Sequence, residues 1–316
     1  MPANARADYA RALLGGGAET GVSNRAMNVS ITSADIPTPA PDTDALSRLR
    51  AQLDALDHQI HDLLMRRAEI VEGVARDGGK TGTKIRPGRE AIILRRLLAR
   101  HEGALPRQAI IRFWREMFGA ALIIEGGQVM AVCDGEDRLA LAREHFGPYT
   151  PSRRHPNPAQ TLADLREGAQ LAVLPPPSED DEAGGWWPML TATGAHRLFV
   201  IAKLPFLSRR FEGAPLGEAY VVAAVRPDPS GDDRGLIACT FTADTSRTRM
   251  STLFREAGFT PTTVWVRRLA HEPHLCALVE VEGLIADDDP RLAAVAGLEA
   301  PPVVIGGYAA PLDAEA

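Results

Sequence analysis

From Leu46 onward, Leu49, Leu53, Leu56, Ile60, Leu63, Ile70 and Val74 recur at steps of three and four, with one polar break at Arg67. That spacing predicts one long amphipathic helix. Thr43 or Asp44 can cap its start and the glycines of DGGKTG end it near Asp77, giving about 32 residues or about 48 Å. A second helix opens at Pro87, where proline suits the first turn, and runs through REAIILRRLLARH. A third opens at Pro106, turns Ile110, Phe113, Trp114, Met117, Phe118, Ala121 and Ile124 inward, and stops at Gly126-Gly127. Two short helices cannot cover so long an apolar stripe, so a second copy of the chain is expected to cover it.

After Gln128 the period changes. VMAVC, DRLALAREHFG, TLADLREG and AQLAVLP alternate short β-rich runs with helical ones, which predicts βαβ units on a parallel sheet. HRLFVIAKLPFL and EAYVVAAV follow as strands, and PDPSGDDRG reads as a linker. From about Gly235 the order is strand, helix, strand, strand, helix, strand, the ferredoxin-like plan. Residues 1–43, rich in Ala, Gly, Ser, Thr and Pro and ending in DIPTPAPDTD, hold too few large apolar residues to offset ordering and read as a disordered tail. The predicted fold class is therefore multidomain, α plus α/β. The segments are the tail 1–43, helices 44–126, an α/β region 127–232 and a ferredoxin-like module 233–312.

Composition narrows the function classes. The 316 residues carry 35 Lys+Arg against 41 Asp+Glu, a net charge of −6, and no apolar run of membrane-spanning length. A mildly acidic chain without a basic block is poorly suited to nucleic acid. Cys133, Cys239 and Cys276 are odd in number and lack CxxC spacing, which favours buried thiols in a reducing cytosol over disulfides or a metal site. No secretory signal is evident, and Met27 is a second possible start. The pairs His58/His61 and His271/His274 have no nearby carboxylate or cysteine to complete a metal set and read as surface residues; Trp186-Trp187 reads as local packing.

Candidate chemistry sits on the helices. Arg50 and Arg67 lie 17 positions apart, about 25 Å along one helix, and point to different sides. They can share a pocket only across an antiparallel pair of chains. Arg67 occupies a core-like place, where an unpaired cation is costly unless it snorkels to water or meets a bound anion. Arg89 and Glu90 fall in the first turn of the second helix, where a dipole favours the carboxylate. Glu125 follows Trp114, Phe118 and Ala121 on the expected inward stripe, so its carboxyl is expected to titrate high and donate a hydrogen bond, or else to sit in solvent at a frayed end.

Taken together, LSRLRAQLDALDHQIHDLLMRRAEIVEGVA, IRPGREAIILRRLL and PRQAIIRFWREMFGAALIIE resemble the all-helical (AroQ-class) chorismate mutases over roughly residues 44–126. The resemblance implies an intertwined helical homodimer that converts chorismate to prephenate, on the way to phenylalanine and tyrosine, with no cofactor or metal. It implies that Arg50 crosses from the partner subunit and that Arg67 binds a substrate carboxylate. It further implies that Arg89 and Glu90 form the Arg-Glu pair whose glutamate accepts a substrate hydroxyl, and that Glu125 donates to the breaking ether oxygen. The family's lysine on that oxygen falls near Asp77 or Gly78, so Lys80 is the candidate and Lys84 the weaker substitute. Arg86 stands where the family is acidic, and Ala121 where it has serine. A concerted rearrangement needs a held dicarboxylate and stabilised ether-oxygen charge, which arginine forks, a lysine and a protonated carboxyl supply.

The remainder resembles a shortened prephenate dehydratase followed by its ACT regulatory domain, with departures that matter. No room exists between Leu207 and Glu218 for a second subdomain, and EAYVVAAV stands where the family has its catalytic Thr-Arg-Phe. SRTRM and VWVRRL replace the family's effector-binding motifs. The expectation is a cytoplasmic mutase without dehydratase activity and without the family's phenylalanine contacts. A bifunctional mutase/dehydratase and a non-catalytic regulatory protein of the aromatic pathway are the alternatives.

Overall fold

The structure is a computed structural model that describes residues 43–77, 84–135, 137–179, 185–192, 194, 197–208, 213–268 and 274–312. Residues 1–42 of the predicted tail, Lys80, His271 and residues 78–82 of the DGGKTG turn lie outside these residues, while Thr43, assigned to the tail, opens the first helix. The three-four spacing forms α1, Thr43–Asp77, a helix of 35 residues. The described residues divide into two units within α1, residues 43–59 and residues 60–312. In the first unit Leu46, Leu49, Leu53 and Leu56 are all exposed, and in the second so are Ile60, Leu63, Ile70 and Val74. Leaving so many aliphatic side chains in water forfeits about 1.5–3 kcal/mol each relative to burial.

Within the second unit, Pro87 opens α2, Pro87–Ala99, in its first turn, and α3 runs Arg107–Ile124. The α3 face differs from the sequence expectation. Ile111, Arg115, Phe118, Gly119 and Leu122 are buried, whereas Phe113 is 62% exposed and Ile124 37%. The helix offers two overlapping apolar stripes, and the chain buries the one a position on from that predicted. Ala91, Leu94 and Leu98 of α2 cluster with Ile111 and Phe118 of α3 and with Phe206 and Ala309 further along the chain.

The α/β part follows as β1 (Met130–Cys133), α4 (Arg138–Phe146), β2 (Ser152–His155), α5 (Pro158–Ala163) and β3 (Leu171–Leu174), then β4 (Phe199–Leu204) and β5 (Ala219–Ala223). Strand β2, with its sequence SRRH, carries no apolar alternation and was not expected. It is held by Asp164, which accepts from Arg153 at 2.5 Å and pairs with His155 at 2.7 Å. Next come β6 (Asp233–Thr242), α6 (Arg247–Glu256), β7 (Pro261–Arg268), β8 (His274–Glu282), α7 (Pro290–Ala294) and β9 (Val303–Ala309).

All nine strands join one sheet in the order β2-β1-β3-β5-β4-β9-β6-β8-β7. Strand β1 is parallel to β2 and β3, as the βαβ reading required, while β3–β5 and β4–β5 are antiparallel. The order β9-β6-β8-β7, antiparallel throughout, is the ferredoxin-like arrangement. The two groups of strands meet where Val200 of β4 pairs with Gly306 of β9. Gly306 has φ 125°, and a Cβ there would lie 2.2 Å from the Val200 carbonyl oxygen, so only glycine closes this joint.

The period-two alternation sorts the strand residues to two faces. Met130, Val132, Leu171, Val173 and Val221 pack with Leu141, Ala142 and Phe146 of α4. Cys133, Ala172, Leu174, Tyr220 and Val222 pack on the other face with Trp186, Trp187 and Leu162. The tryptophan pair is thus core, with Trp186 Nε1 donating to the Pro175 carbonyl at 2.9 Å. Cys133 and Cys239 are buried, and none of the three cysteines is in a disulfide.

The PDPSGDDRG stretch is no loose linker. Asp228 accepts from the N–H groups of Gly88 and Arg89 at 3.0 and 3.1 Å, satisfying the open donors at the start of α2. Arg95, two turns on, donates to the Ser230 carbonyl and hydroxyl, the Asp232 carbonyl and the Ala310 carbonyl at 2.7–3.0 Å. A turn-rich composition marked the bend but not the docking of a helix more than a hundred residues upstream.

Candidate functional site

The sequence-predicted residues fall into two groups. Arg50 is exposed on the part of α1 in the first unit, and Arg67 is half-buried on the part in the second. The rest lie at the ends of α2 and α3. Arg89 is exposed in the first turn of α2, its backbone N–H fixed by Asp228, while Arg86 reaches the same carboxylate at 3.4 Å. Lys84 Nζ donates to the Glu125 backbone carbonyl at 2.7 Å. The structure therefore sets Lys84, the weaker sequence candidate, beside the C-terminus of α3. Glu125 itself caps that helix and is half-buried, not enclosed on the inward stripe, because the stripe buried is the Ile111–Leu122 one.

Glu90 departs most from expectation. It is not an open first-turn carboxylate but a buried one, since α2 turns positions 87, 90, 91, 94 and 98 toward its neighbours. Arg115 Nη1 donates to Glu90 Oε2 at 2.6 Å, with side-chain exposures of 7% and 12%. The same Nη1 donates to His145 Nε2 of α4 at 3.1 Å. A guanidinium only donates, so His145 Nε2 must carry its lone pair. Burial, reinforced by the Arg115 charge, holds the His145 pKa well below the ordinary imidazole range, and the ring is neutral. Burial likewise raises the Glu90 carboxyl and lowers the Arg115 guanidinium, and each opposes the other's shift by pairing. Arg115 also stacks on Phe206 at 4.9 Å and Phe118 at 5.9 Å.

Sequence reasoning missed Arg115, His145, Asp228 and Arg95. An arginine next to Trp114, one position on from the predicted apolar stripe, was the one local signal. It marks a buried cation in need of a partner, and the partner could be found only in space.

Residues 49–126 match the family described as chorismate mutase type II. These residues form a chorismate mutase domain. A bifunctional chorismate mutase/prephenate dehydratase of Pseudomonas aeruginosa is 31% identical over 114 residues, 34% of this chain and 31% of that protein. The chain thus spans about a third of the length of this curated relative. Among solved structures, one titled a novel type of quorum quenching acylase aligns over 58% of this chain and 96% of its own, at TM-score 0.44 and 17% identity. Prephenate dehydratase from Streptococcus mutans aligns over 58% and 98%, at TM-score 0.40 and 13% identity. In the mutase domain, Lys84, Arg89 and Glu125 sit at the ends of its helices, while Glu90 is drawn to the side that faces α4 through Arg115. No group of three or more metal-ligating side chains occurs among the described residues, and none of their helices is long and apolar enough to cross a membrane.

Proposed function

We propose that the chain is a chorismate mutase, rearranging chorismate to prephenate within aromatic amino-acid biosynthesis in the cytoplasm. The observation that carries this reading is the mutase domain itself, with Arg67, Arg89, Glu90 and Glu125 at the positions the family resemblance assigns. Arg67 and Arg89 would grip substrate carboxylates through paired N–H donors. Glu90, oriented by Arg115, would accept the substrate hydroxyl. Lys84 or Lys80, with Glu125, would meet the charge growing on the ether oxygen. The reaction is intramolecular and concerted, so positioning and electrostatics suffice and no cofactor or metal is called for.

We further propose a homodimer. The exposed stripe of α1 and the outward face of α3, Phe113 and Ile124 included, give a second copy a large apolar surface to cover. Antiparallel pairing would bring Arg50 of the partner subunit to the site holding Arg67. Residues 44–126 would form the mutase domain, 127–232 a degenerate dehydratase-like region and 233–312 an ACT-like domain. The bifunctional name of the relative favours dehydratase activity, whereas the absent Thr-Arg-Phe sequence disfavours it.

Incubation of the purified chain with chorismate, followed by its absorbance, tests the reading. The expected result is consumption with stoichiometric prephenate and no phenylpyruvate. Phenylpyruvate formed from prephenate would establish the bifunctional alternative, and untouched chorismate would leave a non-catalytic protein.

A further inference from the structure

Between α3 and α4 lies a cavity of about 770 Å³, within the range of about 300–1,000 Å³ usual for small-molecule sites. Its apolar wall is Ile111, Leu139 and Phe206, and its charged wall is Arg112, Arg115 and Arg143. Arg112 and Arg143 make no ion pair with a described residue. Of the acidic groups lining it, Asp137 is committed to the Leu216 N–H at 2.7 Å, Glu144 lies in the field of Arg115, and Glu116 is exposed on α3. Arg115 is the one described side chain that both lines this cavity and pairs with Glu90. One Nη nitrogen of Arg115 serves Glu90 and His145, while no hydrogen bond is made by its other N–H groups among the described residues.

We propose that this cavity binds a small organic carboxylate with an apolar body, and that its occupancy is felt at Glu90 through Arg115. The anionic head meets the guanidinium groups of Arg112 and Arg115, and the body lies against Leu139 and Phe206. A buried guanidinium has five donors in a fixed fork, so a carboxylate engaging its free edge cannot leave the other edge undisturbed. The coupling rests on the mutase reading above, in which Glu90 touches substrate; the binding does not.

The test is isothermal titration of the full chain with 3-phenylpropionate and with 3-phenylpropan-1-ol, which keeps the body and lacks the charge. The expected result is one site per chain with Kd below about 1 mM for the acid and at least about tenfold weaker binding of the alcohol. Ala140→Trp, which fills the cavity, should abolish the heat, and Arg112→Ala should weaken binding at least about threefold should the tryptophan variant fail to fold. In parallel, the acid should lower the kcat of wild-type chorismate turnover at least about twofold and leave that of Ala140→Trp unchanged. No heat with the acid, or equal heat in both variants and wild type, overturns the site. Binding without any effect on kcat overturns the coupling. Where no preparation consumes chorismate, the mutase reading fails and the titration still judges the cavity.

Discussion

Arg115→Met is the sharpest probe of how the mutase helices are built. The pair it breaks is short, 2.6 Å, and enclosed, with side-chain exposures of 7% and 12%. Methionine fills much of the arginine volume, so the main consequence is a carboxylate left without its countercharge in a low-dielectric site. Breaking a buried pair from one side costs about 3–5 kcal/mol, against about 5–15 kcal/mol of total stability for an ordinary domain. The loss depends on pH. Burial already raises the Glu90 carboxyl, and Arg115 is the group that opposes the rise. Without it the folded-state pKa climbs further. A carboxyl with a raised folded pKa contributes stability that is full below the unfolded value, about 4.3, and that is lost as pH rises through the folded value. The deficit of the variant should therefore be small at acid pH and grow as pH rises through the Glu90 titration. Urea unfolding followed by tryptophan fluorescence measures it, and Arg115→Met combined with Glu90→Gln should recover about 1–3 kcal/mol above that titration. A deficit that is the same at every pH, with no recovery in the double variant, would refute the pairing as the source of stability.

Three further outcomes follow from the same geometry. Asp228→Ala removes the acceptor for the Gly88 and Arg89 N–H groups and should cost about 1–2 kcal/mol in thermal unfolding, with Asp228→Asn retaining part of it. Leu53→Asp or Leu56→Asp in the exposed α1 stripe should give monomers by sedimentation and abolish chorismate turnover together; an active monomer would sink the two-chain site. Glu125→Ala should lower the kcat of chorismate turnover at least about tenfold while Glu125→Gln, which keeps a hydrogen-bond donor, retains most of it, so unchanged turnover in the alanine variant would remove Glu125 from the ether oxygen.

What the sequence reveals is what local periodicity and punctuation determine. The three-four spacing from Leu46 to Val74 places α1 to within a few residues, and Pro87 and Pro106 mark the starts of α2 and α3. The strand-helix order after Gly235 gives the ferredoxin-like plan, which the order β9-β6-β8-β7 matches. What is missed is what only three dimensions decide. On α3, Ile110, Ile111, Phe113, Trp114, Met117, Phe118, Ala121 and Leu122 offer two overlapping apolar stripes, and the pattern alone cannot say which one the chain buries on itself. Strand β2 follows from pairing with β1 and not from its own residues. Glu90 and Arg115 lie 25 positions apart on different helices, so no spacing rule joins them. Lys80 falls outside the described residues, which leaves Lys84 the lysine located beside Glu125.

The α/β part bears on the chemistry even if it catalyses nothing. The start of α2, which carries Arg89 and Glu90, is fixed by Asp228, and its third turn by the four hydrogen bonds of Arg95 to the segment leading into β6 and the end of β9. Its inner face rests on Phe206 and Ala309, and Glu90 is oriented by an arginine that leans on His145 of α4. A helix so anchored loses orientation when the α/β part loosens, and orientation is what a concerted rearrangement takes from its protein. Loosening the Asp228 cap or the Arg95 contacts should therefore shift the first turn of α2, and Glu90 with it, without altering Glu90 itself.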